Sequence, residues 1–200
     1  MPELLCAQCG AQRTFCVHRL DKAVGGVMVY AKDGKTAAKL SEAVSSRAVI
    51  KEYFAVVPGA PELPNGILRD YLYHDAAKNK TYVVQRPRRG VKEAELAYET
   101  AATAYAENAG NISLLRITLH TGRSHQIRAQ FAARKLPLLG DGRYGSTVRG
   151  CGVALQSCRL AFEHPVTGAA LDFTAPMPEA WPWTLFADGK DCIKAAPANF

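Results

Sequence analysis

The sequence predicts an α+β fold, a mostly antiparallel mixed sheet flanked by a few helices. Three observations carry this. Short apolar segments rich in β-branched and aromatic residues recur along the chain, whereas helical spacing is confined to a few stretches. Two alternating segments, 94–100 and 112–119, are joined by the short polar link Glu107-Asn-Ala-Gly-Asn111, as antiparallel neighbours are. No internal repeat or low-complexity tract interrupts the pattern.

The elements follow in order from Val17. Residues 26–31, an apolar run between Gly25-Gly26 and Lys32-Asp33-Gly34, read as a buried strand. Lys35 to Ser45 carries Ala37, Leu40 and Val44 on one face and reads as an amphipathic helix of about three turns. Residues 49–57 are β-branched and aromatic, and Pro58-Gly59 stops the strand they form. A turn-rich connection (58–66) leads to a basic stretch, 74–92, in which Lys80, Arg86, Arg88 and Arg89 alternate with Tyr82 and valines. It reads as an exposed hairpin, either a solvated ribbon or an arm that tracks phosphates. The strands 94–100 and 112–119 come next. A helix from 124 to 135 has Ile127, Phe131 and Ala132 on one face and Ser124 placed to cap it. A Gly-rich loop (140–152) and strands over 153–162 and 170–174 complete the pattern. The first 15 residues show no clear periodicity and read as a lead-in, 1–16, ahead of one domain, 17–186, and a tail, 187–200.

Length and charge bound the function. Two hundred residues suffice to bury a single core, and 48% hydrophobic with 22% charged residues is an ordinary globular balance. The formal net charge of +7 favours a polyanionic partner. No apolar run approaches the ~18 residues of a membrane span, and no signal peptide is recognisable, so a cytoplasmic protein without a membrane partner is expected. Cys6 and Cys9 form a CxxC, but no second pair at matching spacing follows, and His18 and His164 lack an HxxxH companion. No metal site is expected, and the thiols are expected to be free.

Titratable residues concentrate next to turn glycines in two segments about a hundred residues apart: His18-Arg19-Leu20-Asp21 and Thr121-Gly-Arg-Ser-His-Gln-Ile-Arg128. Asp21 precedes a buried strand, where a carboxylate needs a cation to stay ionised and oriented. Arg123 or Arg128 can supply it. Such a pair is either a structural link between strand and helix or part of a catalytic site.

The segments VHRLDKAVGGVMVYAK, KEYFAVVPG and LHTGRSHQIRAQFAARKLPLLGDGRYG resemble the three signature regions of the RluA-type pseudouridine synthases, which isomerise uridine in ribosomal or transfer RNA. The resemblance spans roughly Val17 to Pro176. It implies the pseudouridine synthase catalytic fold, an Asp21 nucleophile, and no cofactor, because the isomerisation needs neither redox change nor external energy. It further implies that Tyr53 packs on the flipped base and takes part in proton transfer, and that Arg19 fills the space the base leaves. Arg123 falls most naturally on the family arginine that pairs with the aspartate; Arg128 is the second candidate and could instead meet phosphate. His18 and His125 support loop geometry or contact the RNA backbone. Substrate reading then rests on the catalytic domain, acting as a monomer, with Lys80, Arg86, Arg88 and Arg89 in the basic arm.

Two features depart from the family pattern. The KPxG-like turn expected before His18 is missing, so the fold reads as shortened at the amino terminus, and Ala23-Val24 stands where hydroxyl residues are frequent. Two other readings compete. A non-catalytic RNA-binding relative would have no need of a buried carboxylate. A glycoside hydrolase using Asp21 and Asp141 would sit in an unusually basic cleft.

Overall fold

The computed structural model describes residues 2–186. The expected tail 187–200, with Cys192, lies outside the described residues. The order of elements is α1 (Pro2–Cys9), β1 (Phe15–Cys16), β2 (Gly25–Gly26), β3 (Tyr30–Ala31), α2 (Gly34–Ser45), β4 (Ile50–Pro58), β5 (Asn65–Asp75), β6 (Lys80–Val84), β7 (Val91–Ala106), β8 (Gly110–Leu119), α3 (Gln126–Ala133), β9 (Leu155–Glu163) and β10 (Ala170–Thr174). The main sheet runs β10-β9-β4-β8-β7-β5-β6, antiparallel throughout, and β2 joins β9 in parallel. The α+β, mostly antiparallel expectation holds.

β4 lies centrally, between β8 and β9, and its alternating side chains feed two cores. Tyr53, Ala55 and Val57 pack with Leu96, Ile117, Ile127 and Phe131 beneath α3, while Phe54 and Val56 pack on the other face with Ile112, Leu114 and Trp183. α2 begins where Asp33 accepts the Thr36 N–H at 2.8 Å, and its Leu40 joins a third cluster with Ala31, Leu160 and Phe162.

Five local expectations need correction. Pro2–Cys9 is helical. Pro2 suits the first helical position, Glu3 to Gln8 contains good helix formers, and Gly10 (φ +62°) ends the helix while the Ala11 N–H reaches back to the Cys6 carbonyl. The strand expected over 26–31 is two short pieces, β2 and β3. At Gly26 (φ +119°) the backbone packs so closely on β9 that a Cβ would lie 2.0 Å from the Ser157 oxygen, and the chain turns from the main sheet to pair with β1. β5, eleven residues long, extends back into the predicted turn-rich connection. Of the stretch 74–92, only Asp75 back and Lys80–Val84 form the hairpin proper, so Arg86, Arg88 and Arg89 lie beyond β6 on the way to β7. Finally, Ser124 does not cap α3. His125 occupies that position in a left-handed conformation (φ +53°) with no side-chain cap bond.

Candidate active site

Asp21 sits in the loop between β1 and β2, which is closed by a hydrogen bond from the Val24 N–H to the Asp21 carbonyl at 2.9 Å. Its partner comes from α3, and it is Arg128 rather than Arg123. Arg128 Nη1 donates to Asp21 Oδ2 at 2.9 Å, while Nε and Nη2 grip Asp141 Oδ2 and Oδ1 at 2.7 and 2.9 Å. Arg123 instead donates from Nε to the Glu93 carbonyl at 2.9 Å. The reason lies in helical position. Arg128 is inside α3, whose residues 126–131 are all buried, whereas Arg123 precedes the helix in a turn. That turn is fixed by Gln126, whose Oε1 accepts from Thr121 Oγ1 and the Arg123 N–H and whose Nε2 donates to the Glu95 carbonyl. Burial alone would lower the Arg128 pKa, but the hydrogen bonds to Asp141 and Asp21 outweigh it and leave the guanidinium held above its ordinary value. Arg128 is therefore engaged with two carboxylates through Nε, Nη1 and Nη2.

A planar guanidinium bridging two carboxylates in this way leaves Asp21 asymmetric. Oδ2 is held, with His125 Nε2 a further 3.8 Å away, while Oδ1 has no hydrogen bond among the described residues and the side chain remains 25% exposed. Asp141 is only 1% exposed, with both oxygens on Arg128, so it cannot act with Asp21 as a glycosidase carboxylate pair.

Asp21 faces a cleft of about 520 Å³ lined by Arg19, Lys51, Tyr53, Arg123 and His125, among others. Tyr53 is 7% exposed, and its phenol is pushed up to about 12, chiefly by burial and further by the Asp21 charge, against a hydrogen bond from Ser157. It therefore stays protonated beside the carboxylate. Arg19 is exposed on the cleft wall. His18 takes a structural part, its Nε2 accepting from the Val29 N–H at 3.4 Å, and burial followed by the Lys51 charge lowers its pKa.

His125 is tied to a tyrosine that sequence reasoning did not single out. Tyr144 Oη accepts the Thr81 N–H at 2.8 Å and lies 3.0 Å from His125 Nδ1, and its ring stands 5.0 Å from the Arg128 guanidinium carbon. The hydroxyl has one hydrogen to give, and giving it to Nδ1 leaves the imidazole hydrogen on Nε2, toward Asp21. Burial lowers the His125 pKa first, the Arg128, His74 and Arg143 charges act the same way, and Asp21 opposes them. The Gly-Asp-Gly-Arg-Tyr-Gly spacing, which sets Asp141 and Tyr144 three residues apart around a single 3-10 turn (Gly142–Tyr144), was the available signal.

Of the expected basic arm, His74 and Asn79 line the cleft, but its cations Lys80, Arg86, Arg88 and Arg89 do not. Lys80 Nζ lies over the Tyr82 and Tyr144 rings at 5.6 and 5.3 Å, and Arg88 lies over Tyr73 at 5.3 Å, with Arg86 and Arg89 exposed beside it. Among the described residues, no group of three or more His, Cys, Asp or Glu side chains is arranged to hold a metal ion, and no helix is long and apolar enough to cross a membrane. Cys6, Cys9, Cys16, Cys151 and Cys158 are free thiols.

This geometry can be set beside known proteins. The family described as RNA pseudouridylate synthase matches residues 5–133. Ribosomal large subunit pseudouridine synthase D of Vibrio cholerae is 34% identical over 182 residues, covering 84% of this chain and 53% of that protein. The uncharacterized RNA pseudouridine synthase YlyB of Bacillus subtilis is 31% identical over 174 residues, covering 85% of this chain and 54% of that protein. The chain thus spans about half the length of the curated relatives it matches. Among solved structures, human RNA pseudouridylate synthase domain containing 4 shares the fold with a TM-score of 0.73 at 21% identity, over 96% of this chain and 81% of that one. Human RNA pseudouridylate synthase domain containing 1 does so with a TM-score of 0.69 at 19% identity, over 82% and 69%. Since the family match covers more than half of the residues and carries both the Asp21 loop and the Arg128 helix, the chain belongs to the RNA pseudouridylate synthase family.

Proposed function

We propose that this chain isomerises uridines in ribosomal or transfer RNA to pseudouridine, acting as a cytoplasmic monomer with Asp21 as its nucleophile. The observation that carries the reading is the asymmetry of Asp21. One oxygen is clamped by an arginine that is itself clamped by Asp141, and the other is open toward a basic cleft. A carboxylate held this way is oriented before substrate arrives, so little reorganisation remains to be done during reaction.

The reaction balances without a co-reactant. The N1–C1′ bond breaks, the uracil turns, C5 bonds to C1′, the C5 proton leaves and N1 gains one. Asp21 Oδ1 is the atom that attacks the ribose or the base, or assists loss of the C2′ proton. The target base must leave its stack to reach it. Tyr53 offers a protonated phenol at the floor of the cleft on which that base can lie and through which a proton can pass. Arg19, exposed and without a hydrogen bond or ion pair among the described residues, is free to fill the vacated stack. Lys80, Arg86, Arg88 and Arg89 track phosphates outside the cleft.

The test is to incubate the protein with cellular RNA lacking its own modification and map pseudouridines, with Asp21→Asn in parallel. New pseudouridines made by the wild type and absent with the variant support the reading. RNA binding without isomerisation, or activity that survives Asp21→Asn, overturns it.

A further inference from the structure

Among the described residues lining the cleft, one buried cation has no part in the proposed mechanism. Lys51 is 6% exposed, two residues before Tyr53 on β4, so both side chains leave the strand on the same face. It lines the cleft that holds Asp21, and a Cβ at Gly122 would stand 3.6 Å from its Nζ, which places the ammonium against the Thr121–Arg123 turn. Lys51 makes no hydrogen bond or ion pair among the described residues, and it shares the cleft lining with another cation, Arg123, whose charge acts against its own. The Arg123 guanidinium is only partly engaged, by one backbone carbonyl.

A buried ammonium beside a guanidinium is unfavourable unless an anion compensates it. The cleft cannot supply one from within. Of its described lining residues, Arg19, Lys22, Lys51 and Arg123 are cationic and Asp21 alone is acidic, and the held oxygen of Asp21 belongs to Arg128. The missing charge must come with the ligand. A uracil ring is neutral, so the anion that a uridine in RNA brings is a phosphate.

We infer that Lys51, together with Arg123, forms a phosphate subsite inside the cleft, which takes a phosphate of the target nucleotide and fixes its sugar relative to Asp21. This rests on the proposed function for the identity of the nucleotide, but the subsite itself is defined by charge. Gly122 keeps the approach open, because any side chain there would stand over the Lys51 ammonium. Lys51 acts here as a positioning residue, distinct from the exposed arm 80–89, whose contacts lie outside the cleft.

The test compares uridine 5′-monophosphate with uridine, which differ only in the phosphate. Each is titrated into the whole protein while the amide resonances of Lys51, Tyr53 and Gly122 are followed by NMR. The wild type is expected to bind the monophosphate at least about fivefold more tightly, with the largest shifts at Lys51 and Gly122. Lys51→Met, which keeps the length of the side chain without the charge, is expected to abolish the difference, and Lys51→Arg to keep part of it. A wild type that binds both compounds alike, or fails to bind the monophosphate measurably, overturns the inference. So does a folded Lys51→Met with an unchanged preference, and should that variant fail to fold, loss of the preference in the charge-retaining Lys51→Arg overturns it equally. A preference that depends on Lys51 in a protein that makes no pseudouridine keeps the subsite and removes the proposed function. Isomerisation with no such preference does the reverse.

Discussion

Two buried arginine networks lie on opposite sides of β4, and their difference separates a structural link from a reactive site. On one side Glu52, 3% exposed, receives Arg116 Nε and Nη2 on Oε2 at 3.1 and 2.7 Å and Arg159 Nη1 on Oε1 at 3.0 Å, while Arg159 also grips Asp172 with Nε and Nη2. Both oxygens of the buried carboxylate are occupied. On the other side Arg128 satisfies Asp141 fully but reaches only one oxygen of Asp21. Adjacent residues on one strand, Glu52 and Tyr53, thus face a closed network and an open one. A buried ion pair is weak grounds for a function when its donors and acceptors balance. It becomes informative when one acceptor is left over toward a cleft.

The largest effects should come from crossing this divide. Asp21→Asn is expected to lower pseudouridine formation by at least about 10³-fold while the melting temperature stays within a few degrees of wild type. Glu52→Gln should show the opposite, a loss of about 3 kcal/mol in urea unfolding from leaving Arg116 and Arg159 under-compensated, with turnover of the folded protein nearly unchanged. If both variants lose stability equally and neither loses activity, the contrast between the two networks is false. Asp141→Asn falls between them, because it weakens the clamp without touching substrate. We expect about a 10²-fold loss of activity together with about 2 kcal/mol of stability, measured on the same preparation.

Acid should separate the two sides by pH. His125 and His18 have folded pKa values below the ordinary 6.5, mainly through burial, so the unfolded chain binds protons that the folded one refuses. Their contribution is complete above about pH 6.5 and declines as the pH falls from there toward the lowered values. Asp172 is held below its ordinary 3.8 first by its hydrogen bonds with Arg159, so its share is present above that value and is lost only as the pH falls through the lowered one. Unfolding free energy followed against pH should therefore fall in two stages, the first flattened by His125→Gln and the second by Asp172→Asn. A first stage unchanged by His125→Gln would remove His125 from the account.

The smallest effect on the fold is expected from the arm. Replacing Arg86, Arg88 and Arg89 with Gln should alter stability by no more than about 0.5 kcal/mol, yet reduce the salt dependence of RNA binding by up to about three in the log–log slope. An unchanged slope would make the arm a solvated ribbon.

Much of this was legible in the sequence because it depends on local spacing. The α2 helix, the β7–β8 pair and β10 follow from periodicity and turn residues, and the Asp21 and Arg128 segments stood out as titratable clusters beside glycines. What was missed depends on partners distant in sequence. The choice between Arg123 and Arg128 turns on tertiary partners, since Asp21 lies 107 residues from Arg128 and the Glu93 carbonyl that takes Arg123 lies 30 residues from it. Lys51 was passed over because a lysine in a strand reads as solvent-facing, and only tertiary packing buries it. β5 escaped because its inward residues, Leu68 and Leu72, are four apart among charged and aromatic neighbours, so no strict alternation marks it.

The hairpin that ends the main sheet has a consequence for the protein at high concentration. β6 is an edge strand, and an edge strand with unpaired N–H and C=O groups is a template on which a second chain can add. Here the Thr81 N–H is already taken by the Tyr144 hydroxyl, and the charges of Lys80, Arg86, Arg88 and Arg89 stand along or just beyond the strand. Two copies brought edge to edge would repel each other through the same side chains that we propose track phosphates. On that proposal, resistance to aggregation and attraction for RNA rest on one set of charges, and neutralising the arm to weaken one would weaken the other as well.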